Sequence, residues 1–284
     1  MQFVVYWVLN LANGKLAAAL SGIFAANRQI LATVIQQGKV TPHEPAVQSG
    51  QHVLADAAAS VGENRPLPLD DGTPERQMSL RDLVQAKMAD SNNTVESEAA
   101  KGYSIVFVGI ENPIPKGGAR FENQLQSLIG SFDGPVAIVI NGPRLPAESS
   151  ATLNILVPTG GTPEARLATE IGLALAKATN GTLTALHVFD PRDDTEHLRG
   201  RGRRQGLSIL VEARRLGKRG DIPVATLAMT NPSPERAIRR ATRTGNYNLV
   251  VIGTSLRQGH IKFLGPRSAA LMQGLGTPIL LIVR

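Results

Sequence analysis

The feature that most constrains this chain is an internal repeat. Gly102-Tyr-Ser-Ile-Val-Phe-Val-Gly109 is echoed by Asn246-Tyr-Asn-Leu-Val-Val-Ile-Gly253, each a Tyr followed six residues later by Gly. From Gly109 the chain passes Phe121 and a helical stretch to reach Pro135-Val-Ala-Ile-Val-Ile140. From Gly253 it passes Phe263 and a helical stretch to reach Pro278-Ile-Leu-Leu-Ile-Val283, so the Gly-to-Pro spacings are 26 and 25. Upstream, Lys15-Leu-Ala-Ala-Ala-Leu-Ser-Gly-Ile-Phe-Ala-Ala26 parallels Arg166-Leu-Ala-Thr-Glu-Ile-Gly-Leu-Ala-Leu-Ala-Lys177, each between two apolar, β-rich runs. Two copies of one unit of about 145 residues explain these matches.

The second copy gives the order of elements. Leu153–Val157 reads as a strand, Pro163–Thr179 as a helix and Thr182–Phe189 as a strand. A helix around Ser208–Leu216, a strand at Val224–Met229 and a helix over Ser233–Thr244 follow. That last helix has a start signal in Asn231-Pro-Ser-Pro-Glu235, with Ser233 as cap, Pro234 in the first turn and Glu235 near the positive end of the helix dipole. Strand Leu249–Ile252, a helix and strand Ile279–Val283 complete the unit. Strands such as Leu249-Val-Val-Ile252 are apolar on both faces, as a parallel sheet covered by helices on both sides requires. The expectation is α/β: two tandem doubly wound, five-stranded parallel sheets, Rossmann-like, one in residues 1–143 and one in 151–284.

The first copy is less regular. Residues 37–101 are polar, with turn chemistry at Pro66-Leu-Pro-Leu-Asp-Asp-Gly72 and helical character only at Ser79–Ala89 and Ser97–Lys101. A linker is expected at Asn141-Gly-Pro-Arg-Leu-Pro-Ala-Glu-Ser-Ser150. The apolar start Met1–Leu9 has no positive segment before it and no cleavage site behind it, so it makes a poor signal peptide. Asn10, Asn13, Gly14 and Lys15 interrupt it well short of the roughly 20 residues a bilayer requires. A buried strand followed by a helix is expected there.

Composition narrows the function classes. The chain has 284 residues, 42% of them hydrophobic, which is enough to bury a core in each half. With no Cys, disulfides and thiolate metal sites are excluded, and His43, His52, His187, His197 and His260 fall nowhere near ligand spacing. Asp190, Asp193, Asp194 and Glu196 crowd the end of one strand, but acidic turns of this kind are usually solvated, and no metal is assigned. His187, inside an apolar strand, reads as a core histidine bonded to a neighbour. No carboxylate pair, phosphate-loop Lys or nucleophile with a base is found, which argues against an enzyme.

Residues 151–284 hold 19 Lys and Arg against 9 Asp and Glu, and residues 1–150 the remaining 11 against 14, so the halves carry opposite charge. The basic excess concentrates in Arg199, Arg201, Arg203, Arg204, Arg214, Arg215, Lys218 and Arg219, joined by Arg236, Arg239, Arg240 and Arg243 on the next helix. Three readings compete: a solvated surface balancing the acidic half, a contact with anionic lipid through the Arg199–Arg219 region, and nucleic acid. The last is disfavoured, because Phe189 is the only aromatic residue nearby. Gly200-Arg-Gly-Arg-Arg-Gln-Gly206 looks like a dinucleotide fingerprint, but its last spacing is one too long and no strand precedes it. A chance match in a loop is the better reading.

In a sheet of this kind ligands bind at the carboxyl ends of the strands, where the strand order reverses. The second-copy loops there are Val157-Pro-Thr-Gly-Gly-Thr-Pro163 and Gly253–Ser268, both rich in Gly and small hydroxyl residues that can offer N–H groups to phosphate.

Ile155-Leu-Val-Pro-Thr159, Leu183-Thr-Ala-Leu-His-Val188, Leu249-Val-Val-Ile-Gly-Thr254 and Gly265-Pro-Arg-Ser-Ala-Ala-Leu-Met272 together resemble the universal stress protein family, well over residues 151–284 and weakly but in order over 1–143. Nucleotide-binding members carry an Asp after the first strand and a G-x2-G-x9-G-[S/T] motif after the fourth. Here Gly160 stands at the Asp position, Leu256 at the second Gly, the Gly253–Gly265 gap is one residue short, and Pro266 replaces the hydroxyl residue. In the first copy Asn10 is nearest to the Asp, and Gly109-Ile-Glu-Asn-Pro-Ile-Pro-Lys-Gly-Gly118 replaces the motif. The resemblance implies a non-catalytic regulatory module with ATP or AMP as ligand, held by Thr159, Gly160, Gly253, Thr254, Gly265 and Ser268, and two halves packing face to face. The tandem order, with Phe263-Leu-Gly-Pro-Arg-Ser-Ala-Ala-Leu271 in the second copy, is similar to the cytosolic tails of bacterial cation/proton antiporters. That implies a cytoplasmic location at the inner face of the membrane and, as partner, the membrane part of a transporter or a second copy of the chain. A standalone tandem stress protein and a nucleotide-using enzyme of related fold are the alternatives.

Overall fold

The computed structural model describes residues 2–8, 12–28, 31–37, 84–88, 104–109, 114, 120–141, 152–193, 201–257 and 263–284. The first half contributes strands β1 (Gln2–Val8), β2 (Leu31–Gln37), β3 (Val84–Met88), β4 (Val106–Gly109) and β5 (Val136–Ile140) with helices α1 (Ala12–Arg28) and α2 (Asn123–Ser131). The second contributes β6 (Asn154–Pro158), β7 (Thr182–Phe189), β8 (Val224–Thr230), β9 (Leu249–Thr254) and β10 (Ile279–Val283) with α3 (Pro163–Ala178), α4 (Arg201–Arg219), α5 (Pro234–Thr244) and α6 (Pro266–Gly274). Sequence and structure agree closely where one face of a helix or both faces of a strand are apolar. Thr162 caps α3 by accepting from Ala165 N at 3.2 Å, and Ser233 caps α5 by accepting from Arg236 N at 3.4 Å.

All ten strands lie in one sheet, in the order β3-β2-β1-β4-β5-β10-β9-β6-β7-β8. Each half therefore has the same order, and within each half every pairing is parallel. The halves meet where β5 and β10 pair antiparallel, with Ile279 opposite Ile140 and Val283 opposite Val136. Residues 136–140 and 279–283 are all buried. Burying each such aliphatic side chain contributes about 1.5–3 kcal/mol relative to leaving it in water. The contact between the halves is thus edge to edge rather than the face-to-face packing expected: the most apolar strand of each unit would otherwise be an uncovered sheet edge.

Two apolar layers run across that junction. On one face α1 and α3 pack against each other, burying Leu16, Leu20, Phe24, Ala168, Ile171 and Leu175 over Phe107, Val139, Leu280 and Ile282. The other face joins Leu125, Leu128, Ile129 and Phe132 of the first half to Leu264, Leu271 and Met272 of the second. Asn141, at φ 59, sends Nδ2 across to the carbonyls of Leu275 (2.8 Å) and Met272 (3.4 Å), so a first-half side chain caps the end of α6.

Two expectations are corrected. Within the expected helix Ser79–Ala89, the described residues 84–88 are not helical. Val84–Met88 forms β3, in register with Ala32–Gln36 of β2; the free β2 edge supplies a backbone partner that outweighs the helix preference of Gln-Ala-Lys-Met. Gly200–Gly206 is not a loop over its described part: α4 starts at Arg201, seven residues before the expected Ser208. Gly206 is there because a Cβ would lie 2.3 Å from Phe189 Cε1 and 2.5 Å from His187 Nε2, so it permits a close helix–strand approach and does not break the helix. The expected helix at Ser97–Lys101, the turn at Pro66–Gly72 and the linker beyond Asn141 lie outside the described residues.

Candidate functional site

Strands β6 and β9 pair side by side, and the strand order reverses there: the chain leaves β6 toward β7 on one side and reaches β9 on the other. In open α/β sheets the loops at such a reversal diverge and a ligand crevice lies between them. Thr159, first residue after β6, is buried; its N–H donates to Leu186 O at 2.8 Å. Its carbonyl lies 2.8 Å from His187 Nδ1. A carbonyl only accepts, so Nδ1 carries the proton and, in the neutral ring, the Nε2 lone pair turns toward α4. Gly160 is exposed, with open space where a side chain would be, and Gly161 sits at φ 78 before the Thr162 cap.

Gly253 ends this crevice at β9. A Cβ there would lie 2.0 Å from Glu164 O, so the strand end passes directly under the first turn of α3. Gly109 does the same at β4, where a Cβ would meet Asn13 O of α1 at 2.3 Å. The glycine that marks the repeat in the sequence is therefore a backbone-contact position in both halves.

Beyond Thr254, whose hydroxyl reaches Ser255 O at 3.4 Å, Leu256 is buried in the core at the position of the family's second glycine. Arg257 then pairs antiparallel with Phe263, N to O at 2.9 and 3.2 Å, and the loop folds back to Gly265, the N-cap of α6. Gly265 has no side-chain cap, and a Cβ on it would lie 3.2 Å from Arg257 Nε and 3.5 Å from Nη2. The exposed Arg257 guanidinium thus lies over the start of α6, where the helix dipole is positive and an anion would be stabilised. It makes no ion pair among the described residues. Sequence reasoning missed Arg257; its only signal was an Arg four residues after Gly253, and the fold-back that brings it to Gly265 depends on the Phe263 pairing.

The six sequence-predicted residues fall into two groups. Thr159, Gly160, Gly253 and Thr254 stand at the ends of adjacent strands, and Gly265 and Ser268 at the start of α6. Only Gly160 among them lines a cavity of about 490 Å³ between α4 and the ends of β7 and β8. Its walls combine Phe189 and Ile209 with His187, Asp190, Arg203, Gln205 and Thr230, so that more of the lining is polar than apolar. His187 is bonded to a neighbour as expected, but it is partly exposed at this wall, edge-on to Phe189 with ring centroids 4.9 Å apart. Asp190 pairs with Arg192, Nε to Oδ1 at 2.9 Å. Among the described residues no group of three His, Asp or Glu could hold a metal ion, and no helix is long and apolar enough to cross a membrane.

Residues 152–283 match the family model described as the universal stress protein family. The second half carries a universal stress protein domain. Among solved structures, the chain is similar to a universal stress protein from Archaeoglobus fulgidus, with a TM-score of 0.54 at 17% identity, covering 98% of this chain and 97% of that one. It is also similar to a Pseudomonas aeruginosa protein described as a universal stress protein, with a TM-score of 0.55 at 14% identity, covering 99% and 92%. Both likenesses bear on fold: an α/β structure with a mostly parallel sheet. No curated protein matches this chain.

Proposed function

We propose that the chain is a non-catalytic regulatory module built from two stress-protein-like units in tandem, residues 1–143 and 151–284, that takes an adenine nucleotide, ATP or AMP, in the second. The observation that carries this reading is the placement of the Arg257 guanidinium over the uncapped start of α6, beside the reversal point of the strand order. In this arrangement the lost motif glycine at Leu256 and the lost N–H at Pro266 are offset by a charged donor suited to phosphate. Thr159, Gly160, Gly253 and Thr254 stand at the reversal point, and the neighbouring cavity beside Gly160, polar over most of its lining, offers Phe189 and Ile209 as the surface for a base.

Because both apolar layers cross the junction between the halves, ligand at the second half bears on how the first half is held. On the resemblance of the Phe263–Leu271 segment, the module is the cytosolic regulatory part of a cation/proton antiporter, at the inner face of the membrane. Co-purification of the chain with such a membrane part tests that association. The nucleotide reading is tested by denaturing freshly purified protein and quantifying the adenine nucleotide released per chain. About one per chain is expected; none, even after soaking in ATP and AMP, overturns the reading.

A further inference from the structure

Helix α4 covers the last two strands of the sheet, β7 and β8, and turns Gly206, Leu210, Ala213 and Gly217 inward. Its opposite face is unusual in two respects. Leu207 and Val211, one turn apart, are 47% and 60% exposed, the two large hydrophobic side chains so exposed among the described residues. Around them stand Arg204, Arg214, Arg215 and Lys218, all exposed. Leu207, Val211, Arg214 and Lys218 follow at i, i+4, i+7 and i+11, one stripe along the helix, and Arg204, Val211 and Arg215 form the adjacent one. The single acid of α4, Glu212, sits on the other flank, 3.8 Å from Arg166 and 4.0 Å from Arg215. Arg214 is steadied from the edge strand, donating to Thr226 Oγ1 at 2.6 Å.

The structure also divides the basic run that is continuous in the sequence. Ile238 and Ala241 of α5 pack on the opposite face of the sheet from Leu210 and Ala213 of α4. Arg239 is turned into that packing, its guanidinium where a Cβ on Gly274 would be. Among the described residues, the cations that share a surface with exposed large hydrophobic side chains are those of α4.

We propose that this outer face of α4 docks on an anionic lipid surface. Two aliphatic side chains ringed by cations match the two layers of such a surface, the acyl boundary and the charged headgroups. A nucleic acid would use the cations but gain nothing from Leu207 and Val211. A solvated surface would not need them. The inference rests on the exposure and charge of α4 and not on nucleotide binding, so either can fail alone.

The test is co-sedimentation of the full chain with phosphatidylcholine vesicles, with and without phosphatidylglycerol. Binding is expected only to the vesicles with phosphatidylglycerol, weakening as salt is added. Arg204→Glu/Lys218→Glu should lower the partition coefficient at least about tenfold, and Leu207→Ser/Val211→Ser several-fold with the salt dependence kept. All four positions are exposed, so an unchanged thermal midpoint shows that the variants are folded. Equal binding to both vesicle types, or folded variants that bind like the parent chain, would overturn the proposal. So would tighter binding to an oligonucleotide that Leu207→Ser/Val211→Ser leaves unaltered, which would assign the face to nucleic acid.

Discussion

The two halves share a scaffold and differ in what is mounted on it. Both have the strand order 3-2-1-4-5 counted within the half, and both place a glycine at the fourth strand under the first turn of a helix, Gly109 under α1 and Gly253 under α3. Even the helices before the fifth strands match, since α2 and α6 both start without a side-chain cap. The carboxyl-end loops do not match: the second half has Thr159-Gly-Gly-Thr162 and the Arg257–Gly265 fold-back, where the first has Gly109-Ile-Glu-Asn-Pro-Ile-Pro. Packing fixes the strands and the glycines beneath the helices; it leaves the loops free to gain or lose a ligand.

The strongest way to break this comparison is to separate the halves. Residues 151–284 alone would expose all of β10 as an apolar edge, so that fragment should self-associate, with a second β10 in place of β5. Sedimentation showing a stable monomer would mean that the junction is dispensable. Next in size, Gly253→Ala and Gly109→Ala each force a methyl into helix backbone and should each cost about 3 kcal/mol in denaturant unfolding. A much smaller cost at Gly109 would show that the first half is packed more loosely than the second.

Asn141→Ala removes both hydrogen bonds to the end of α6 and leaves alanine at a positive φ, for a loss of about 2 kcal/mol. No loss would uncouple the first half from α6. Arg257→Ala should weaken adenine nucleotide binding about tenfold by titration calorimetry while leaving the thermal midpoint in place; an unchanged affinity removes Arg257 from the site. Smallest, Thr162→Ala should cost about 1 kcal/mol through the lost cap of α3, measurable by urea unfolding.

Much of the scaffold was legible because its causes are local in the sequence. The Gly109/Gly253 echo could be read because each glycine is demanded by a backbone contact that no other residue permits, and Leu249–Ile252 because both its faces carry the apolar pattern of a covered strand. Strand β3 was not legible, since Gln-Ala-Lys-Met favours a helix until the edge of β2 is beside it. The first turns of α4 were hidden for the same kind of reason: Gly202 and Gly206 resemble a loop until Phe189 and His187 are placed against Gly206. At the candidate site, Thr159, Gly160, Gly253 and Thr254 could be located from the rule that binding loops follow strands. Arg257 could not, because its position over Gly265 depends on a loop pairing rather than on spacing.

The single antiparallel seam between β5 and β10 has a directional consequence. Since every other neighbouring pair runs parallel, all five strands of one half point opposite to all five of the other. The carboxyl ends of the second half's strands lie at one rim of the sheet, and those of the first half's strands at the opposite rim. Each of the two seam strands spans the full distance, so β10 or β5 alone connects one rim to the other, and the pairs Val283–Val136 and Ile279–Ile140 join the halves at both ends of that path.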